Sequence, residues 1–192
     1  MKKTLFTIVL GLGLLTANAQ IEKLAGPRIG FTFITPGATA DMINTKFDAD
    51  EPYGETGTAF ITQYGWQWES RFADGGGDVT GIVEWVALVG GMEKGLFLPS
   101  VSSIIGARTS NGLEFGVGPN LSLSGVGMVF AIGHNFKSGR LNLPVNLVFT
   151  PGIKKTGDYS DSDDYMYGGN HVEYEYNTGS RISIMVGFNM SK

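Results

Sequence analysis

From residue 27 onward, apolar side chains return at every second position. In 140–150, Leu141, Leu143, Val145, Leu147 and Phe149 alternate with Arg140, Asn142, Pro144, Asn146, Val148 and Thr150. In 180–190, Ile182, Ile184, Val186, Phe188 and Met190 oppose Arg181, Ser183, Met185, Gly187 and Asn189. The same alternation runs through 113–123 (Leu113, Phe115, Val117, Pro119, Leu121, Leu123), 58–69 (Phe60, Tyr64, Trp66, Trp68) and 27–34 (Ile29, Phe31, Phe33). A period of two predicts strands with one apolar and one polar face. Three further segments are less regular. Residues 79–90 carry apolar groups on both faces with Glu84 as their one charge, 96–108 end in Ile104, Ile105 and Arg108, and 125–136 set apolar groups against glycines. The count is eight strands.

The connections divide by parity. Gly75-Gly76-Gly77-Asp78, Asn111-Gly112 and Lys137-Ser138-Gly139 are short and rich in residues suited to positive φ. They join even strands to odd ones. The two long links, about 35–57 and 152–178, join odd strands to even ones and so emerge together at the other end. Long loops at one end and tight turns at the other predict an all-β, antiparallel up-and-down eight-stranded β-barrel of the transmembrane type. Closure removes the sheet edges that hydrocarbon does not tolerate. The polar face then turns inward, where Arg28, Glu69, Glu84, Arg108, Glu114 and Arg181 are expected as an internal network holding register. Tyr64, Trp66 and Trp68, read as near the short-turn end of their strand, are expected as interfacial aromatics.

The start of the chain sets a compartment. Lys2 and Lys3 precede an uncharged apolar run from Leu5 to Leu15, and Ala17-Asn18-Ala19 supplies a small-x-small site. This predicts a signal peptide over 1–19, cut before Gln20, since the run falls short of the roughly 20 residues of a spanning helix. Residues 20–192 are then a single barrel domain exported to the outer membrane. Losing Lys2 and Lys3 takes the net charge from −4 to −6. That balance, without basic clusters, argues against nucleic acid as a partner. The absence of cysteine excludes disulfides and thiolate metal sites. The 29 glycines among 192 residues fall partly on the inward face, where they relieve crowding.

The leader, the loop parity and the terminal strand Ile182-Ser183-Ile184-Met185-Val186-Gly187-Phe188-Asn189-Met190 resemble the small outer-membrane β-barrel proteins of Gram-negative bacteria. The stretch Thr16-Ala17-Asn18-Ala19-Gln20 is similar to signal sequences common in Bacteroidetes. The resemblance implies a last strand ending on an aromatic residue read by the assembly machinery; here Asn189, Met190, Ser191 and Lys192 follow Phe188.

Catalytic chemistry is thinly represented, and neither a catalytic residue nor a cofactor is expected. His134 falls on the apolar face of the sixth strand, and His171 in the last long loop near Ser160, Asp161 and Ser162. Asp158, Asp161, Asp163 and Asp164 are weak candidates for Ca²⁺ ligands, without the spacing of an EF-hand. Tyr159, Tyr165, Tyr167, Tyr174 and Tyr176 interleave with these acids, and the 36–57 loop carries Asp41, Asp48, Asp50, Glu51 and Tyr53. Tyrosines among small polar residues make contact surfaces, and loops on a rigid scaffold carry function. The reading is a non-enzymatic outer-membrane barrel, structural or adhesive, in contact with outer-membrane lipid and meeting an extracellular ligand or protein through its long loops. The alternatives are a lipid-modifying outer-membrane enzyme and a soluble exported barrel binding a small apolar ligand.

Overall fold

The computed structural model describes residues 25–46, 57–74, 79–160 and 171–190. The expected leader, 1–19, lies outside them. Strands β1 (Gly26–Ile34), β2 (Ala59–Asp74), β3 (Val79–Gly90), β4 (Leu98–Thr109), β5 (Leu113–Ser122), β6 (Gly125–Ser138) and β7 (Leu141–Thr150) pair antiparallel in chain order. A hairpin, β8 (Lys154–Ser160) and β9 (His171–Asn177), stands apart, and β10 (Arg181–Gly187) then pairs with both β7 and β1. The ring is a closed eight-stranded antiparallel barrel. A short β11 (Asn189–Met190) continues β10 along β7.

The alternation decides which way each side chain points. Ile29, Phe31 and Phe33 of β1 are about half exposed, and their neighbours Arg28 and Thr32 are buried at 2%. The same holds around the ring: Trp85, Ile105, Phe115, Phe130, Leu147 and Ile184 face out, while Glu84, Arg108, Glu114, Asn120 and Ser183 face in. This is the reverse of a soluble core, and the reverse of a soluble barrel built around a small apolar ligand. The apolar groups on both faces of β3 and β4 resolve into the outward Trp85 and Ile105 and the inward Ile82 and Ile104.

Pro144 sits in mid-strand with its side chain fully buried. It pairs with Asn135 of β6 on one side. On the other side the ladder stops at Val186↔Val145 and resumes at Asn189↔Asn142. The residue that cannot donate an N–H therefore faces the gap between β10 and β11, where no donor is called for.

Three features depart from the sequence reading. β2 runs on to Asp74, with a register shift between Arg71 and Ala73 that breaks the period. Tyr64, Trp66 and Trp68 consequently occupy the middle of a 16-residue strand rather than its short-turn end, and Phe72 is the exposed aromatic nearest that end. The 35–57 link contains helix α1 (Ala38–Asn44). The 152–178 link contains the β8–β9 hairpin, which alternation alone did not separate from a loop.

At the long-loop end, Gly37 (φ 149°) and Gly179 (φ 79°) press backbone to backbone. A Cβ on Gly37 would lie 2.6 Å from the Gly179 nitrogen, and one on Gly179 would lie 2.5 Å from the Thr35 carbonyl oxygen. No larger residue fits either place. Thr39 N–H donates to the Thr178 carbonyl (3.2 Å) and Ser180 N–H to the Thr35 hydroxyl (2.8 Å). The bases of the two long links are thereby locked together into a cap. Beside it, β2 rises above the end of β3, and Glu93 of the short helical turn Met92–Lys94 covers the exposed edge. Its carboxylate accepts from the Thr62 amide (2.8 Å) and hydroxyl (2.5 Å).

Candidate functional site

Two places concentrate polar chemistry: the interior of the barrel and a cleft in the cap. Inside, registers Glu69↔Glu84 and Arg108↔Glu114 bring charges from four consecutive strands to one level. Arg108 is the hub. Its Nη1 donates to Glu69 Oε1 (2.7 Å), its Nη2 donates to Glu69 Oε2, and its Nε donates to Glu114 Oε1 (2.5 Å). Glu84 stands 4.0 Å from Arg108 Nη2 and accepts from Gln67 Nε2 (2.5 Å). Gln67 in turn accepts from Arg28 Nε (2.6 Å). Bidentate Arg–carboxylate geometry with extra hydrogen bonds is the condition under which buried charges are tolerated.

The structure thus gathers Arg28, Glu69, Glu84, Arg108 and Glu114 into one network. Arg181 stands apart because it pairs with Ile34 and Thr150, at the far end of the strand from Arg28↔Gly187. It donates to Ser122 Oγ (3.1 Å) and Asn120 Oδ1 (3.2 Å). Between the two levels, Thr32 bonds Gln63 (2.5 Å) and Ser183 (2.7 Å). The luminal cavity among these groups amounts to about 80 Å³, consistent with an eight-stranded interior filled by its own side chains.

Above the lumen, α1 turns Ala40 and Ile43 inward onto Ile34, Ala59, Ile61 and Leu98, with Met42 and Leu96 at the margin. The i, i+3 spacing of Ala40 and Ile43 puts both on one helical face. This small apolar core closes the barrel mouth over β1, β2 and β4.

The cleft lies beside that core. It measures about 590 Å³ and is bounded by α1, the hairpin and the β5–β6 turn. On the hairpin, Lys155, Gly157, Tyr174 and Tyr176 share a face through registers Lys155↔Tyr176 and Gly157↔Tyr174. The Tyr174 ring lies across Gly157, where a Cβ would meet it at 2.7 Å. Tyr174 and Tyr176 stand with centroids 5.8 Å apart at 33°. Lys155 Nζ ties the hairpin to the barrel by donating to the Ser124 carbonyl (2.6 Å). Met42 and Leu123 add apolar lining, and Asp41, Glu175, Thr45 and Asn177 add polar lining. The lining is of the kind that holds an amphipathic ligand: apolar and aromatic surface with a few placed polar groups.

The sequence reading singled out Tyr174, Tyr176 and Asp41, which meet here, and missed Met42, Leu123, Lys155 and Gly157. The lysine and glycine were legible only once 154–160 and 171–177 were seen as paired strands. Asp161, Asp163, Asp164, Tyr165, Tyr167, Asp48, Asp50, Glu51 and Tyr53 lie outside the described residues, as do the side chains of Asp158, Tyr159, Ser160 and His171. Among the described residues, no group of three His, Asp or Glu is placed to hold a metal ion. His134 packs edge-on against Phe136, with centroids 4.5 Å apart.

No family model matches the sequence, and no curated protein is similar to it. Among solved structures, the chain is similar to one described as "Outer-membrane expressed OmpT of Vibrio cholerae", at 10% sequence identity and a TM-score of 0.28. The match covers 88% of this chain and 51% of that one, so this chain spans about half the length of the structure it matches.

Proposed function

We propose that this protein is an outer-membrane barrel, closed to passage, that acts by binding at the cleft in its cap. One observation carries the membrane assignment: half-exposed apolar side chains run around a closed ring of strands whose interior holds charges and hydroxyls. Such a surface is costly in water and matched to hydrocarbon. The ring leaves no edge amides bare, as lipid requires. The leader at 1–19, a Gram-negative source and outward-facing long links belong to the same reading. The Arg108 network below and the Ile43 core above fill the lumen from both ends, which disfavours transport.

Binding falls to the cleft because the two long links meet there, held by the Gly37–Gly179 contact and by Lys155. A ligand with one apolar face for the tyrosines and a hydrogen-bonding rim for Glu175 and Asn177 matches the lining. This reading is non-enzymatic and needs no cofactor.

Fractionation tests the first half. The protein is expected in the outer-membrane pellet, migrating faster on gels unboiled than boiled; recovery from the soluble periplasm without detergent would falsify the assignment. The second half predicts that Tyr174→Ala with Tyr176→Ala abolishes attachment of intact cells to whatever extracellular surface the parent strain adheres to. Unchanged adhesion with unchanged surface abundance removes the cleft from the account.

A further inference from the structure

At the short-turn end, beneath the ionic network, the barrel opens into a cavity of about 490 Å³ between β2–β3, the β4–β5 turn and the β6–β7 hairpin. Arg71, Thr80, Lys137 and Asn142 are on its wall, and no described lining residue is a carboxylate. Arg71 is only loosely committed. Its ion-pair partner, Glu69, lies 3.8 Å from Nε, and both oxygens of Glu69 are already held by Arg108. Arg71 Nε is buried without a hydrogen-bond partner, and so is Asn142 Nδ2 on the opposite side of the cavity. Buried polar groups are ordinarily paired, and these two donors facing one another across the cavity, with the unpaired Asn135 Oδ1 beside Asn142, call for a group between them that is rich in acceptors and carries a hydroxyl. Lys137, exposed at the same rim, adds a second positive charge with three rotatable donors.

We propose that this cavity binds a phosphate oxyanion. A guanidinium on β2 and a lysine point charge on β6, lining one cavity, are the kind of donor set that phosphate oxygens accept from, and no carboxylate stands among the described lining residues to attract a cation instead. The cavity is roomier than a lone oxyanion requires. At its outer edge, His134 and Phe136 offer an aromatic flank. Two sources share this chemistry: the headgroup of a phospholipid lying against the barrel, and free phosphate on the short-turn side. The site stands on the barrel's own geometry and is independent of the cap cleft.

The test uses the full chain in a maltoside detergent, which brings no phosphate, with backbone amides of Ser110, Asn111, Gly112 and Asn135 followed by NMR. Inorganic phosphate, dihexanoyl-phosphatidylglycerol and phosphate-free dihexanoylglycerol are titrated separately. Saturable shifts with the phosphatidylglycerol alone assign a lipid headgroup; saturation by inorganic phosphate assigns the free anion. Arg71→Gln and Lys137→Gln are each expected to raise the midpoint roughly tenfold, the scale of one charge-assisted bond. Lys137→Gln changes an exposed side chain and guards against a folding defect in Arg71→Gln. Lys154→Gln, exposed at the opposite end, leaves the midpoint where it is. Failure of both phosphate probes to saturate, equal shifts from dihexanoylglycerol, or unmoved midpoints in both pocket variants overturns the proposal.

Discussion

The barrel is stoppered twice, by opposite means. Toward the short turns, Arg108 holds Glu69 and Glu114 and lies beside Glu84, so the closure is ionic. Toward the long links, Ile43 and Ala40 press onto Ile34, Ile61 and Leu98, so the closure is apolar. The ionic stopper is made of residues in the strands themselves and is built as the ring closes. The apolar one depends on a seven-residue helix that is too short to hold its shape alone and is kept only by what it packs against. The first is integral to the barrel's stability; the second is a lid resting on it.

The sharpest way to break this contrast is Arg108→Met. It leaves three buried carboxylates with only the loose contact of Arg71 to Glu69 (3.8 Å) in place of a held guanidinium, and removing one partner of a buried ion pair costs about 3–5 kcal/mol. The urea midpoint for loss of the fast-migrating folded form should fall accordingly, and adding Glu69→Gln should recover part of the loss. A variant as stable as the parent would show that the network is ornamental. Ile43→Ala comes next. Truncating a buried isoleucine costs about 2–5 kcal/mol, here charged to the cap alone. Amide exchange at Asp41 and Thr45 should accelerate while that of the barrel strands and the unfolding midpoint stay put. If the barrel midpoint drops equally, lid and barrel are one cooperative unit.

The smallest effect concerns Glu93, which belongs to neither stopper and covers a strand edge. Slight burial pushes its carboxyl up, but the hydroxyl and amide bonds from Thr62, with Lys94 adjacent, outweigh this and hold it below its ordinary value. A carboxyl depressed in the folded state adds stability that is present above the ordinary range near roughly 4.3 and is lost as pH falls through the lowered value. For so exposed a group the contribution is under about 1 kcal/mol. The Thr62 amide resonance should therefore titrate with a midpoint below that of a free glutamate, and Glu93→Gln should abolish the titration. A midpoint at the ordinary value would mean the edge is covered by geometry alone.

How far the sequence reveals this molecule depends on which force acts on each segment. Where one face is the apolar outside of the ring and the other a filled lumen, as in 140–150, period two is enforced and the strand reads directly. β2 defeated that reading at Phe72, because a bulge shifts the phase and hides the last five residues. The hairpin defeated it because Lys155, Gly157, Tyr174 and Tyr176 meet across strands, through a ring lying on a glycine, and no apolar alternation marks that. Helix α1 is two turns long, and its buried residues Thr39, Ala40, Asp41 and Ile43 mix polar with apolar, so no apolar period stands out. Among the six inward charges, nothing in the spacing distinguishes Arg181, at the opposite end of the lumen, from the five that cluster. The phosphate cavity was invisible for a related reason: Arg71, Lys137 and Asn142 converge only through the curvature of the closed ring.

The ring joins β1 to β10, pairing Ile29 with Val186 and Phe33 with Ile182. Those partners are separated by most of the chain, so the last zipper to close is also the least local, the kind of contact that forms slowly. Without Arg181–Gly187 the other seven strands would leave two unpaired margins, on β1 and on β7. On the membrane reading proposed above, docking of that final strand is the step that removes both margins at once.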